Sequence, residues 1–138
     1  MDNLKPSQMM HIGGGLVIVI GSFLDWFGAG DFGVNGWDTD QFGLLGILVA
    51  LIGAVLAIGG LLTASGNDEN MPDQVLGLSR NQLHLALGFA VFVPMFGLQF
   101  ASNTKFGVTL GWIGAALVVA AAIMEQNEAD SPAEPTQF

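Results

Sequence analysis

The sequence predicts an all-α fold, an integral membrane four-helix bundle. Two observations predict it. Four long apolar runs hold a single carboxylate between them, and each run carries regularly spaced small residues. Only 11% of the 138 residues are charged, against about 25% in ordinary soluble domains. Those charges lie in the tails and loops, so the runs are left almost bare.

The runs are Met9 to Phe27, Phe42 to Ala64, Leu83 to Ala101 and Phe106 to Met124. About 20 residues at a rise of 1.5 Å each cross the ~30 Å hydrocarbon layer. A soluble bundle needs a polar stripe on every helix. The second run, GLLGILVALIGAVLAIGGLLTA from Gly43, has none. The first run is read as an uncleaved span, because Asp25, Trp26 and Phe27 make a poor cleavage region and three further spans follow. With the N-terminus inside, Lys5 and Arg80 face the cytoplasm and Lys105 faces outward. That balance of bases places both termini in the cytoplasm. Residues 1–124 therefore form one transmembrane domain, and 125–138, acidic and proline-bearing, read as a disordered tail.

The connections differ in character. Residues 28–41 form a glycine-rich loop, and Phe32 and Trp37 join Trp26, Phe27 and Phe42 in an aromatic collar suited to a membrane–water interface. Residues 65–82 are polar, with a short interfacial helix expected over Pro72 to Arg80. The link Ser102 to Lys105 is tight and makes its two helices antiparallel neighbours. A shift of 73 residues lays His11 on His84, Gly15 on Gly88, Phe23 on Phe96 and Phe27 on Phe100. A shift of 64 lays Phe42-Gly43 on Phe106-Gly107. The halves then read as two tandem helical hairpins, related by an axis along the membrane normal.

Lipid tails are as apolar as leucine, so small residues that allow close backbone approach must hold the helices together. The second run offers Gly46, Ala50, Gly53, Ala57 and Gly60, spaced alternately by four and three, which keeps one side facing a partner. The fourth offers Gly107 and Gly111, a GxxxG, and the first offers Gly14, Gly21 and Gly28. Pro94 falls in the middle of the third run, where it removes a backbone donor.

Twelve acids against three bases give a net charge of −9. Nucleic acid is excluded as a partner, because phosphate binding needs clustered Lys and Arg. The absence of cysteine excludes disulfides and thiolate chemistry. No nucleophile elbow, zinc-protease helix, P-loop or dinucleotide fingerprint is present, so no enzymatic activity is expected.

Three groups of residues carry the remaining candidate chemistry. His11 and His84 begin the first and third runs at similar depth, and Glu125 lies on the same side. Two inward histidines suit a haem iron or a metal. Solvation of both rings at the interface is the alternative. Asp25 is the one carboxylate inside a run and a candidate for proton or cation coupling. The small multidrug exporters also have four spans but place an acid deep in the first helix, where Ile12 to Leu24 has none. Asp31, Asp38 and Asp40, with Asn35, crowd the first loop and offer oxygen ligands to a hard cation.

The stretch FLDWF, the acidic glycine-rich loop with GVNGWD and the apolar Gly/Ala helix after it resemble uncharacterised small four-span membrane proteins of actinobacteria. The likeness covers about 40 residues and implies a fold rather than an activity. Claudins share a four-span plan with an aromatic outer loop, but their paired loop cysteines are missing here. The expected role is that of a non-enzymatic accessory or interaction subunit without a resident cofactor. Its expected partners are the lipid bilayer and other membrane proteins or further copies of itself. The alternative is a small transporter, or a carrier that holds haem or a metal through its two histidines.

Overall fold

In a computed structural model, residues 4–67 and 74–130 are described. Helix α1 spans Pro6–Phe23, α3 Leu45–Ala64, α4 Arg80–Leu98 and α5 Phe106–Asp130. Between α1 and α3 lie strands β1 (Asp25–Ala29) and β2 (Phe32–Asn35) and the single helical turn α2 (Thr39–Phe42). Strands β3 (Gln74–Val75) and β4 (Leu78–Ser79) precede α4. The long elements are helical, as expected, but α2 makes one helix more than the four foreseen.

Three helical segments, Leu45–Ala64, Arg80–Leu98 and Phe106–Glu128, are long and apolar enough to cross a membrane. Helix α1 is shorter and opens on polar residues. Pro6 occupies its first turn, where no backbone donor is needed. The Gln8 side chain accepts from Lys5 N–H at 3.0 Å and closes the start of the helix. On α4 the cap is reciprocal: Ser79 N–H donates to Gln82 Oε1 at 2.9 Å and Gln82 N–H to Ser79 Oγ at 3.2 Å. Helix α4 continues through Pro94 without a break in its assignment.

Helix α1 is the centre of the fold. It packs against α3 on one side and α5 on the other, while α4 packs on α5 and barely meets α3. Three consecutive glycines explain this placement. A Cβ on Gly14 would lie 2.6 Å from the Gly114 carbonyl oxygen of α5, and one on Gly15 would lie 2.6 Å from the Ala57 nitrogen of α3. Gly13 faces open space. On α3, Gly46, Ala50, Gly53, Ala57 and Gly60 are all buried. Gly53 meets Gly15 and Ile18 of α1, and Gly46 meets the backbone of Gly36. Gly107 of α5 lies under the carbonyls of Leu24 and Asp25, and Gly111 lies against Met95 of α4. The regularly spaced small residues are thus used inside the chain. Between α3 and α4 the interior is filled instead by larger side chains, among them Val49, Leu56, Val91 and Met95, and bulk keeps those two backbones apart.

The structure departs from the sequence reading at four places. The first helix ends at Phe23 rather than Phe27. Leu24 is extended (φ −88°, ψ 159°), and Trp26 turns back so that its indole N–H donates to Gly21 O at 3.0 Å. That bond satisfies one of the carbonyls a helix end leaves open. The glycine-rich stretch is an ordered antiparallel hairpin, with Phe27 opposite Val34 and Ala29 opposite Phe32. Gly30, at φ +62°, makes its turn.

The expected helix over Pro72 to Arg80 is also a hairpin, with Gln74 opposite Ser79. Leu76 (φ 54°) and Gly77 (φ 81°) are both left-handed, which suits a tight hairpin turn and interrupts a helix. Residues 72 and 73 lie outside the described residues. Finally, α5 runs to Asp130, past the end foreseen at Met124. Glu125 and Gln126 are good helix formers, and Gln126 accepts from Asn81 at 3.5 Å. Residues 131–138 of the acidic tail lie outside the described residues.

The hairpin β1–β2 closes one end of the fold. Gly28 N–H donates to Asn103 O (3.1 Å) and Lys105 N–H to Trp26 O (2.7 Å), which ties the hairpin to the α4–α5 turn. Trp26 is wholly buried beneath it. The opposite end carries the start of α1 and the end of α5, joined by an ion pair between Lys5 and Glu128 at 3.9 Å.

Candidate functional site

The inward face of α1 reads Ser7, His11, Gly14, Gly15 and Ile18, all buried. The inward face of α4 reads His84, Gly88, Val91 and Met95. Both follow the i, i+4, i+7, i+11 spacing of one helical face. His84 therefore heads its inward stripe and His11 stands second in its own, after Ser7, each about one turn inside the helix start. Antiparallel packing brings the end of α5, with Glu125, and the end of α3, with Gly60 and Thr63, to the same level. All four long helices thus contribute to one polar pocket.

The histidine rings meet with centroids 4.2 Å apart and planes tilted by 50°. His11 is 1% exposed and His84 8%. Gly60 makes room for the first of them, since a Cβ there would lie 2.9 Å from His11 Cδ2. Ligand atoms of His11, His84 and Glu125 lie within 4.8 Å of one another. Beside them is a cavity of about 140 Å³, lined also by Gln8, Thr63, Arg80 and Asn81. It adjoins an open vestibule lined by Lys5, Ser7, Gln8, Thr63, Glu125 and Glu128.

Among the described residues, several buried polar atoms here have no hydrogen-bond partner: His84 Nδ1, Ser7 Oγ and Asn81 Oδ1, while the His11 ring faces the backbone of Leu56. Each such group costs about 1–3 kcal/mol when left unmet. The arrangement therefore stores a demand for something that donates to, or is bound by, these atoms. One consequence is measurable in the protein itself. Changing His84 to Leu, of similar size, is expected to raise the stability of the ligand-free protein by about 1–3 kcal/mol, read from thermal unfolding in detergent. A clear loss of stability would show that the buried imidazole is already satisfied.

The other candidate residues lie elsewhere. Asp25 is exposed in β1, outside every helix and opposite Asn35. Asp31 is exposed at the hairpin turn. Asp38 caps α2, its carboxylate accepting from Asp40 N–H (3.0 Å) and Gln41 N–H (3.1 Å). Asp40 is exposed within that turn. Among the described residues, Asp31, Asp38 and Asp40 form no group with metal-ligand spacing, whereas the two histidines and Glu125 do.

The helix-packing positions Gly46, Ala50, Gly53, Ala57, Gly60, Gly107 and Gly111 fall where α1, α3, α4 and α5 meet one another or the hairpin. Sequence reasoning missed Arg80, Asn81, Gln8 and Thr63 as pocket residues. Arg80 and Asn81 lie one turn before His84, and Gln8 one turn before His11, so the helical period alone points to them. Comparison with family models, curated proteins and solved structures yields no match to this chain.

Proposed function

We propose that this chain is a non-enzymatic, four-span membrane protein that works as an accessory binding module, taking up a small polar ligand at the end that carries the start of α1 and the end of α5. The observation that supports this most is the pocket itself. Four helix ends converge on it, His84 Nδ1, Ser7 Oγ and Asn81 Oδ1 are buried there without partners among the described residues, and an open vestibule shares Gln8, Thr63 and Glu125 with it.

Two further features support membrane residence. Large apolar side chains point outward along whole helices, as with Leu48, Leu51, Val55 and Ile58 on α3 and Phe89, Val93 and Phe96 on α4. Soluble monomers rarely present contiguous apolar surface beyond a few hundred Å², whereas lipid covers such faces. The aromatic side chains of Phe23, Phe32, Trp37 and Phe100 gather at the hairpin end, as at a membrane–water interface.

Binding is favoured over conduction by what lies beneath the pocket. Ile18, Leu56, Val91, Met95 and Val118 are fully buried there, and Trp26 seals the far end. Docking to other membrane proteins, or to further copies, would use the outer apolar faces, since the small-residue faces are engaged within the fold.

The native chain has no cysteine, so single reporters are clean. Asp31→Cys is expected to react with a membrane-impermeant maleimide in intact cells. Glu128→Cys is expected to react only after permeabilisation, as its end is placed in the cytoplasm. Equal labelling of the two from one side would overturn the four-span arrangement. Failure of the protein to partition with membranes would overturn the reading altogether.

A further inference from the structure

From the geometry of the pocket, and resting on the binding-module reading above, we infer that its ligand is a divalent transition-metal ion held by His11, His84 and Glu125.

Three elements that a single ion would bridge supply the donors: α1 gives His11, α4 gives His84 and α5 gives Glu125. Their ligand atoms already lie within 4.8 Å of one another. Metal–nitrogen and metal–oxygen bonds of about 2.0–2.2 Å require them to close only slightly, by rotation of side chains at the helix ends. The two imidazoles are more than nine-tenths buried and line the cavity, with His84 Nδ1 unpartnered among the described residues; a Leu56 backbone partner for one His11 nitrogen leaves the lone pair of the other for an ion. A metal ion is the ligand that uses an imidazole lone pair in such a place. The rings sit side by side, whereas a haem iron takes axial imidazoles from opposite faces, so a bare ion fits and the macrocycle does not.

The donor set selects the class of ion. Two imidazole nitrogens and one carboxylate suit Zn²⁺, Co²⁺, Ni²⁺ or Fe²⁺, while Ca²⁺ and Mg²⁺ prefer all-oxygen sites. Three protein ligands leave at least one coordination position free, and it opens on the cavity of about 140 Å³ beside Arg80 and Asn81. Glu125 and Glu128 share the vestibule with Lys5, which pairs with Glu128, so its lining carries a formal excess of one negative charge.

The ion would also do structural work. Helix α4 has most of its contacts with α5, few with α3 and only a meagre set with α1. A bond from His84 to an ion shared with His11 ties α4 to the central helix.

The test uses the full chain purified in detergent and stripped with a chelator. Titration with Zn²⁺ is expected to give one tight equivalent and a rise in the thermal midpoint. Co²⁺ is expected to give visible absorption bands of a low-symmetry site. Mg²⁺ is expected to give neither. His84→Gln and Glu125→Gln, which keep size and hydrogen-bonding capacity, are each expected to weaken Zn²⁺ binding about 100-fold or more, since even indirect partners of a metal are worth 10–100-fold. Circular dichroism checks that both variants remain folded; if one unfolds, the X-ray absorption spectrum of Zn²⁺ bound to the native protein is expected to show imidazole ligands, and an all-oxygen shell overturns the inference.

Undiminished Zn²⁺ affinity in the folded variants, or equal binding of Mg²⁺, overturns the inference. So does the absence of any Zn²⁺ binding by the native chain. Those results leave the membrane-module reading standing if the chain still labels as a four-span protein, whereas a chain that stays dissolved without detergent removes that reading whatever metals do.

Discussion

Replacing Gly14 with leucine is expected to abolish the folded bundle, while the same change one residue earlier, at Gly13, is expected to leave it intact. The two glycines share a helix turn and a sequence context, and differ only in what stands opposite. A Cβ on Gly14 would lie 2.6 Å from Gly114 O and 2.8 Å from Val118 Cγ2, with Leu117 Cβ at 3.1 Å. The nearest of these is backbone, which cannot rotate aside. The reciprocal approach is as close, since a Cβ on Gly114 would lie 2.7 Å from Gly14 O. Leucine there must push α1 and α5 apart along their whole contact, and α1 is the helix that both other packing partners depend on.

Overpacking of a core that can adjust costs about 1–3 kcal/mol. A backbone-to-backbone contact cannot adjust in that way, so the loss should exceed that range. Around Gly13 there is nothing within 4 Å, and leucine has the better helix propensity by about 0.8 kcal/mol. The measurement is thermal unfolding by circular dichroism in mild detergent, with size-exclusion profiles of both variants. Two equally folded proteins would mean that α1 and α5 do not meet through these glycines.

Trp26→Ala is expected to cost about 3–5 kcal/mol, the range for removing a large buried aromatic. Trp26 is fully buried beneath the hairpin. Its ring packs against Phe42 with centroids 5.0 Å apart, and its N–H serves the Gly21 carbonyl at the end of α1. Its own backbone carbonyl accepts from Lys105 N–H at 2.7 Å, so this residue joins the first helix, the hairpin and the last turn. Trp26→Phe keeps much of the volume and loses the indole donor, with a smaller expected cost of about 1–2 kcal/mol. Denaturant unfolding of the two variants separates ring volume from hydrogen bond. A Trp26→Ala protein as stable as the native one would show that the hairpin end contributes little to the fold.

The sequence showed the long helices and much of the site because both follow local rules. Apolar runs of span length announce α3, α4 and α5 directly, and the small-residue spacing on α3 marks its buried face. The match of His11 with His84 carried over to three dimensions, because each lies on an inward stripe about one turn inside its helix start. Other features depend on partners distant in the chain. The end of α1 at Phe23 is set by Trp26 turning onto Gly21, and the hairpin after it is held by Asn103 and Lys105, some 75 residues away. Nothing local distinguishes that glycine-rich segment from an irregular loop. The spacing of glycines likewise gave the faces but not their partners: Gly14 and Gly15 are adjacent, yet one serves α5 and the other α3. The second hairpin was hidden by the helix-compatible composition of Gln74 to Arg80, overridden by left-handed backbone at Leu76 and Gly77.

The central position of α1 has a consequence for synthesis. Among the four long helices α1 leaves the ribosome first, yet one of its two partners, α5, leaves last. An early unit of α1 and α3 can pair through Gly15 and Gly53 while the rest is still being made. The other flank of α1, with Gly14 and Gly21, then waits until residues beyond Phe106 arrive to cover it. During that interval the nascent chain presents a narrow glycine groove to whatever helices surround it. A chain stopped before α5 would keep that groove open permanently, and with it a half-built pocket lacking Glu125.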